Sequence, residues 1–312
     1  MFGRPPGDPW YRMAAVPRIP ARGQILLTAL LMSTGGAGIK AVSLTNWQIS
    51  SFRSGIAAIV LLLAVRRLPR FSVPALLVGA AYGATVITFI TANQLTTAAN
   101  TVFFQGTAPL YLAVLAPLVL GEHLPRRDIP ILFVIAAGMV LLFLGHSEPT
   151  ATAPSRALGN AIGVLSGCSW SLTLLGLRWL EKRDPASMAG GAGNAAVVGN
   201  IVTCGLCLPL ALPLAGVSPA DVIGVAYLGV FQVGLAYVLL TRSITHVPAV
   251  EASLLLLVEP AVSPLWAWWM HGEAPGLWPF AGGVIIISAA AWKALRSGRT
   301  AALPPQPAAG RK

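Results

Sequence analysis

Apolar residues in this chain come in long blocks separated by short polar gaps, with neither the alternation of a half-buried strand nor the narrow stripe of a soluble helix. A helix rises about 1.5 Å per residue, so about 20 apolar residues cross roughly 30 Å of hydrocarbon. The blocks predict helices over 23–42, 46–66, 72–93, 97–120, 129–146, 158–178, 188–214, 220–241, 248–270 and 276–293. This is the pattern of an all-α membrane protein with ten transmembrane helices. Composition agrees: 55% of residues are hydrophobic and 10% charged, against about 25% charged in a soluble domain, and mean hydropathy is +0.73. The gaps are too short for a soluble catalytic domain.

Charge adds orientation. With the N-terminus in the cytoplasm, eighteen of the 21 Lys and Arg fall in cytoplasmic segments, Arg156 falls outside, and Lys40 and Arg53 lie in or at the edge of helices. So strong a positive-inside bias predicts an even number of spans with both termini cytoplasmic. The net charge of +11 is then accounted for by orientation and by attraction to the lipid bilayer, so a nucleic-acid partner is not expected. The predicted organisation is a cytoplasmic tail over 1–22, a first five-helix unit over 23–146, an outer linker over 147–157, a second five-helix unit over 158–293, and a disordered cytoplasmic tail over 294–312.

The two units repeat. Ala98 to Glu122 aligns with Ala249 to Glu273 at a constant offset of 151, matching Ala98 with Ala249, Pro109 with Pro260, Ala116 with Ala267, Gly121 with Gly272 and Glu122 with Glu273. An odd number of helices per unit makes the repeat inverted, an arrangement that in transporters puts the binding site near the midplane between the halves. The run TTAANTVFFQGTAPLYLAVLAPLVLGE (Thr96 to Glu122), its partner VPAVEASLLLLVEPAVSPLWAWWMHGE (Val247 to Glu273), Lys40 closing the first helix, Arg53 in FRSGIAA, and WSLTLLGLR (Trp170 to Arg178) resemble the drug/metabolite transporter superfamily, specifically its EamA-type ten-helix exporters. The resemblance implies a transporter in a bacterial inner membrane that exports small metabolites such as amino acids or related compounds by alternating access. Lys40 and Arg178 align at a second offset, 138, which sets Met32 and Ser33 opposite Trp170 and Ser171. Family members often carry Trp and a small residue at both places, and this chain keeps that Trp only in its second half.

An ionisable group within the bilayer is costly, so each one needs a reason. Lys40 and Arg53 lie toward the outer half, where they could form a positive region for a carboxylate-bearing solute. The alternatives are interfacial snorkelling for Lys40 and a packing contact for Arg53. Glu259 sits near the centre of helix 9, just before Pro260, which removes a backbone donor and frees the carbonyl of Leu256. It is a candidate proton carrier or amine ligand, or else a hydrogen-bonded strut between the halves. Tyr82, Asn93, Gln105, Tyr111, Trp170, Tyr237 and Trp266 complete the candidate substrate-binding set, drawn from a wider polar inventory that includes Asn200 and Gln232. Glu251 is read as a helix N-terminal acid, and Glu122 and Glu273 as loop anchors on opposite faces. Gly159, Gly163 and Gly167 on helix 6, and Gly79 with Gly83 on helix 3, sit at the spacing of close helix packing. Cys168, Cys204 and Cys207 lie within apolar runs and read as core residues, so neither a metal nor a cofactor is expected. An integral-membrane enzyme or a non-transporting accessory protein is the alternative. For an enzyme, His123, His146, His246 and His271 are too scattered to form a catalytic set.

Overall fold

The computed structural model describes residues 19–66, 68–122, 126, 129–144, 153–183, 191–214, 216–272 and scattered residues between 277 and 292. Every element within them is helical. Helix α1 comes in two pieces, Ala21–Ser33 and Gly35–Lys40, followed by α2 (Asn46–Val65), α3 (Val73–Leu95) and α4 (Ala98–Gln105 and Ala108–Leu120). Then come α5 (Ile129–Leu144), α6 (Arg156–Arg183), α7 (Gly191–Ala211), α8 (Pro219–Ser243) and α9 (Ala249–Leu255 and Val258–His271).

Seven of these, α2, α3, α4, α6, α7, α8 and α9, are long and apolar enough to cross a membrane. The expected ten differ for identifiable reasons. Helix α1 is divided at Thr34, where the Ser33 and Thr34 hydroxyls donate to the carbonyls of Leu30 and Leu31 and two glycines follow. Helix α5 is 16 residues long. The predicted tenth helix falls largely outside the described residues, although those described within it are helical. The 294–312 tail, Glu273, His123 and His146 also lie outside them.

Local chemistry sets the helix ends. Thr45 and Gln48 form a reciprocal capping box at the start of α2, and Ser218 with Asp221 does the same for α8. Gly121 and Gly272 end α4 and α9 with φ of 63° and 67°, a left-handed conformation that glycine adopts without steric penalty. Both α4 and α9 break one turn before their repeat-matched prolines, Pro109 and Pro260.

The Ala249 N–H, at the start of α9, meets Glu122 just past the end of α4. At the other end of the bundle, His271 of α9 reaches Ala37 while Ala98, opening α4, packs by Gly36. The two helices therefore run in opposite directions, as an inverted repeat requires. In α9, 72% of the most apolar stretch is buried, against 44–50% in the other six spans, which makes it the central helix. Leu118, Leu63 and Trp269 on the outer surface are exposed, as lipid-facing residues would be.

Close approach is built with glycine. A Cβ at Gly167 of α6 would lie 2.4 Å from the carbonyl oxygen of Phe104 and 2.5 Å from Thr107 Oγ1, so this position seats α6 directly on the break in α4. At Gly79 a Cβ would come within 3.1 Å of the Gly199 backbone, which brings α3 and α7 into backbone contact.

Candidate functional site

A narrow cavity lies near the middle of the helices. Arg53 of α2 and Glu259 of α9 line it, each only 5% exposed. The aromatic wall comes from Tyr82 and Phe89 of α3, Trp170 of α6 and Tyr237 of α8. Gln105 of α4 and Gln232 of α8 add amides, and Met32, Thr85, Val86 and Val233 fill the rest. Met32 and Trp170, the pair aligned by the 138 offset, thus face the same space from α1 and α6.

Most of the wall is held from behind. The Tyr82 hydroxyl donates to Asn200 Oδ1 at 2.8 Å, and the Asn200 amide donates to the Ala196 carbonyl. Tyr82 and Tyr237 meet edge to face with ring centroids 5.1 Å apart, and Trp170 lies 6.2 Å from Tyr237. Gln105 donates to Ser166 Oγ at 3.3 Å. These contacts fix the rings and leave donors of Arg53 unengaged. Arg53 Nε and Nη1 are buried without a hydrogen-bond partner, as is Gln232 Oε1. Among the described residues no ion pair joins Arg53 to Glu259. A buried guanidinium with free N–H groups is expensive unless an anion or water completes it.

About 30 Å³ of the cavity is open to the centre of a water molecule. One water needs about 10–15 Å³ by this measure, so the space holds two or three waters and no organic metabolite. A second void of about 10 Å³ sits between the breaks of α4 and α9 and shares Gln105, Trp170 and Glu259 with the first. Glu259 therefore borders both.

At both ends of the bundle, contacts between helices form a closure. At one end Glu122 accepts from Arg178 Nε at 2.8 Å and from the Ala249 N–H at 3.0 Å, and lies 3.1 Å from Lys182 Nζ. Arg178 also donates to the carbonyls of Ile244 and Thr245, and Arg22 pairs with Glu251 at 2.7 Å. Burial pushes the Glu122 carboxyl up, but the Ala249 N–H and the Arg178 and Lys182 cations outweigh it and hold the group below the ordinary carboxylate range. At the other end the bonds are largely neutral. Trp266 Nε1 donates to Ser33 Oγ at 3.0 Å, His271 Nε2 to the Ala37 carbonyl at 2.8 Å, and the Tyr227 hydroxyl to Thr34 Oγ1 at 3.1 Å.

Of the ten residues expected to bind substrate, Arg53, Tyr82, Gln105, Trp170, Tyr237 and Glu259 line the cavity together. The other four do not. Lys40 ends the second piece of α1, and Tyr111 is half-buried farther along α4. Asn93 is wholly buried against Gly36, and Trp266 belongs to the closure at the His271 end. Glu251 is engaged by Arg22 as well as sitting in the first turn of α9. Gln232, outside those ten, also lines the cavity. Its signal was a lone amide in an apolar run, and a π-helical stretch over Leu228–Leu235 carries it. Gly35 makes room for it, since a Cβ there would lie 2.6 Å from its amide nitrogen.

Two antiparallel broken helices beside a small cavity that carries a buried Arg and Glu, in a bundle of long apolar spans, define a polytopic membrane protein of the transporter class. The chain belongs to the EamA-like transporter family, which matches residues 23–144 and 157–293. It is 25% identical over 274 residues to the pseudopaline exporter CntI of Pseudomonas aeruginosa, covering 85% of this chain and 92% of that one. An uncharacterized transporter of Archaeoglobus fulgidus is 23% identical over 201 residues, covering 63% of this chain and 67% of the relative. A crystal structure that is 18% identical superposes with a TM-score of 0.67 over 90% of this chain and 98% of the other, a likeness of fold.

Proposed function

We propose that this protein exports small metabolites, such as amino acids or related compounds, by alternating access between its inverted halves. In this reading it lies in a bacterial inner membrane with both termini and the Glu122 end in the cytoplasm. The observation that carries the proposal is the burial of Arg53 and Glu259 around one cavity between the halves. Charged groups at that depth serve a solute path far more often than packing. The cavity as it stands is too small for a metabolite, and contacts between helices tie both ends of the bundle, so this reading takes the structure as a contracted state. Loading requires one closure to open. Parting of the Glu122 cluster would admit solute from the cytoplasm, and parting of the Trp266 and His271 contacts would release it. The pseudopaline exporter relative supports the direction.

Proteoliposomes loaded with amino acids, nucleobases and polyamines test the reading. Protein-dependent flux of at least one class is expected, and Arg53→Ala should cut the flux of a carboxylate-bearing solute at least tenfold while most folded protein survives. Flux no faster than from empty liposomes for every class would defeat the transporter reading. Equal loss of flux and folded protein would make Arg53 structural.

A further inference from the structure

Building on the transport reading, we infer that the cavity admits only solutes whose bound form is neutral overall: Arg53 takes a carboxylate, and Glu259 takes either the solute's ammonium or a proton. The charge of the solute then sets how many protons travel with it.

The inference follows from what faces Glu259. Arg53 of α2 is the one cation on the cavity wall, and Tyr82 of α3 and Tyr237 of α8 are its other titratable groups. The lining residues of α1, α4 and α6, which are Met32, Gln105 and Trp170, are neutral. Glu251 and His271 share α9 with Glu259 but lie near its two ends, Glu251 roughly 12 Å away along the helix and paired with Arg22.

With Arg53 and Glu259 both ionised the empty cavity is balanced, and a Glu259 protonated at rest shifts the count for every solute by the same one proton. A zwitterion adds no net charge, since its carboxylate meets the free Nε and Nη1 of Arg53 and its ammonium meets Glu259. A solute with only a carboxylate adds one negative charge, and two carboxylates in one small dry site cannot both remain ionised. One proton from the aqueous phase onto which the cavity opens then binds a Glu259 carboxylate oxygen, converting carboxylate to carboxylic acid with no other bond made or broken. A net cation has no such remedy. It leaves the site positive, and arginine does not release a proton in compensation.

Purified protein in weakly buffered detergent solution with a pH-indicator dye tests this, with binding followed by thermal shift. The probes are three matched pairs, methionine with its 2-hydroxy analogue, leucine with 2-hydroxyisocaproate and phenylalanine with phenyllactate, together with putrescine. Bound hydroxy acids should take up close to one proton more per site than their amino-acid partners, and putrescine should not bind. Glu259→Gln should abolish that difference and weaken the amino acids at least tenfold. The wild-type proton counts stand as a test even if that variant fails to fold. Equal counts for the two members of each pair, or binding of putrescine, would overturn the charge rule and leave transport standing. Flux of an uncharged nucleobase with no binding of any acid would do the same. Absence of flux for every solute class would overturn the transport reading and the charge rule together.

Discussion

Helices α4 and α9 share a backbone and differ in chemistry. Each breaks after about two turns, resumes just before a matched proline, and stops at a left-handed glycine. The offset of 151 nevertheless pairs Glu259 with Ala108, Ser263 with Leu112 and Trp266 with Leu115, so past the breaks the polar side chains are concentrated on α9. The α4 break is instead seated against Gly167 of α6. At the position of α1 that the 138 offset matches to Gly167, the chain has Ala29, which carries a Cβ. Proline and glycine reproduce the architecture twice. One copy serves as a fitted strut, and the other holds the charge.

The largest test of this contrast is Gly167→Ala. Its Cβ would press on the Phe104 carbonyl, and backbone cannot swing aside as a flexible side-chain tip can. We expect a loss near the upper end of overpacking costs, about 3 kcal/mol, seen as reduced folded protein and a lower unfolding temperature in detergent. Gly205→Ala on α7, where nothing lies within 4 Å, is the control and should be near neutral. A neutral Gly167→Ala would mean that the α4 break is as loose as its partner.

Second comes Glu122→Gln, which removes the charge at the ionic closure. The Arg178 contact is mostly enclosed, whereas Lys182 is 41% exposed and adds little. A loss of about 1–3 kcal/mol from that closure is expected, read as faster labelling of a cysteine placed at position 250. The pH sign follows from the lowered carboxyl. Stabilisation is present above the ordinary carboxylate range and is lost as pH falls below it. Wild-type labelling should therefore accelerate in acid while the Glu122→Gln background stays flat. Acceleration of both to the same extent would move the sensor elsewhere.

The smallest effect belongs to Trp266→Phe, which deletes one donor to Ser33 Oγ at the His271 end. Ser33 keeps its own bond to the Leu30 carbonyl, and single interhelical hydrogen bonds in membranes average about 0.6 kcal/mol. A shift in unfolding temperature smaller than that of Glu122→Gln is expected. A larger one would reverse the ranking of the two closures.

The sequence by itself determined the helical class, the repeat and the matched prolines and glycines. Those features are one-dimensional: hydrocarbon demands a run of apolar residues with every backbone group satisfied inside the run, and Pro109, Pro260, Gly121 and Gly272 act on their own turns. It also pointed to Arg53 and Glu259, because an ionisable residue in an apolar block is conspicuous without any neighbours. Only the tertiary structure decided which polar side chains converge. Asn93, Tyr111 and Trp266 are of the same types as Gln105, Tyr82 and Trp170, yet they stand elsewhere, because the face a helix presents depends on how its neighbours rotate and press against it. Gln232 reaches the cavity through a π-helical stretch that no 3.6-residue period announces, and through space left by Gly35 on a helix of the other repeat. The ionic closure likewise gathers Glu122, Arg178 and the Ala249 N–H from three helices. Local patterns dictate spans and breaks, whereas packing between distant segments assembles the site.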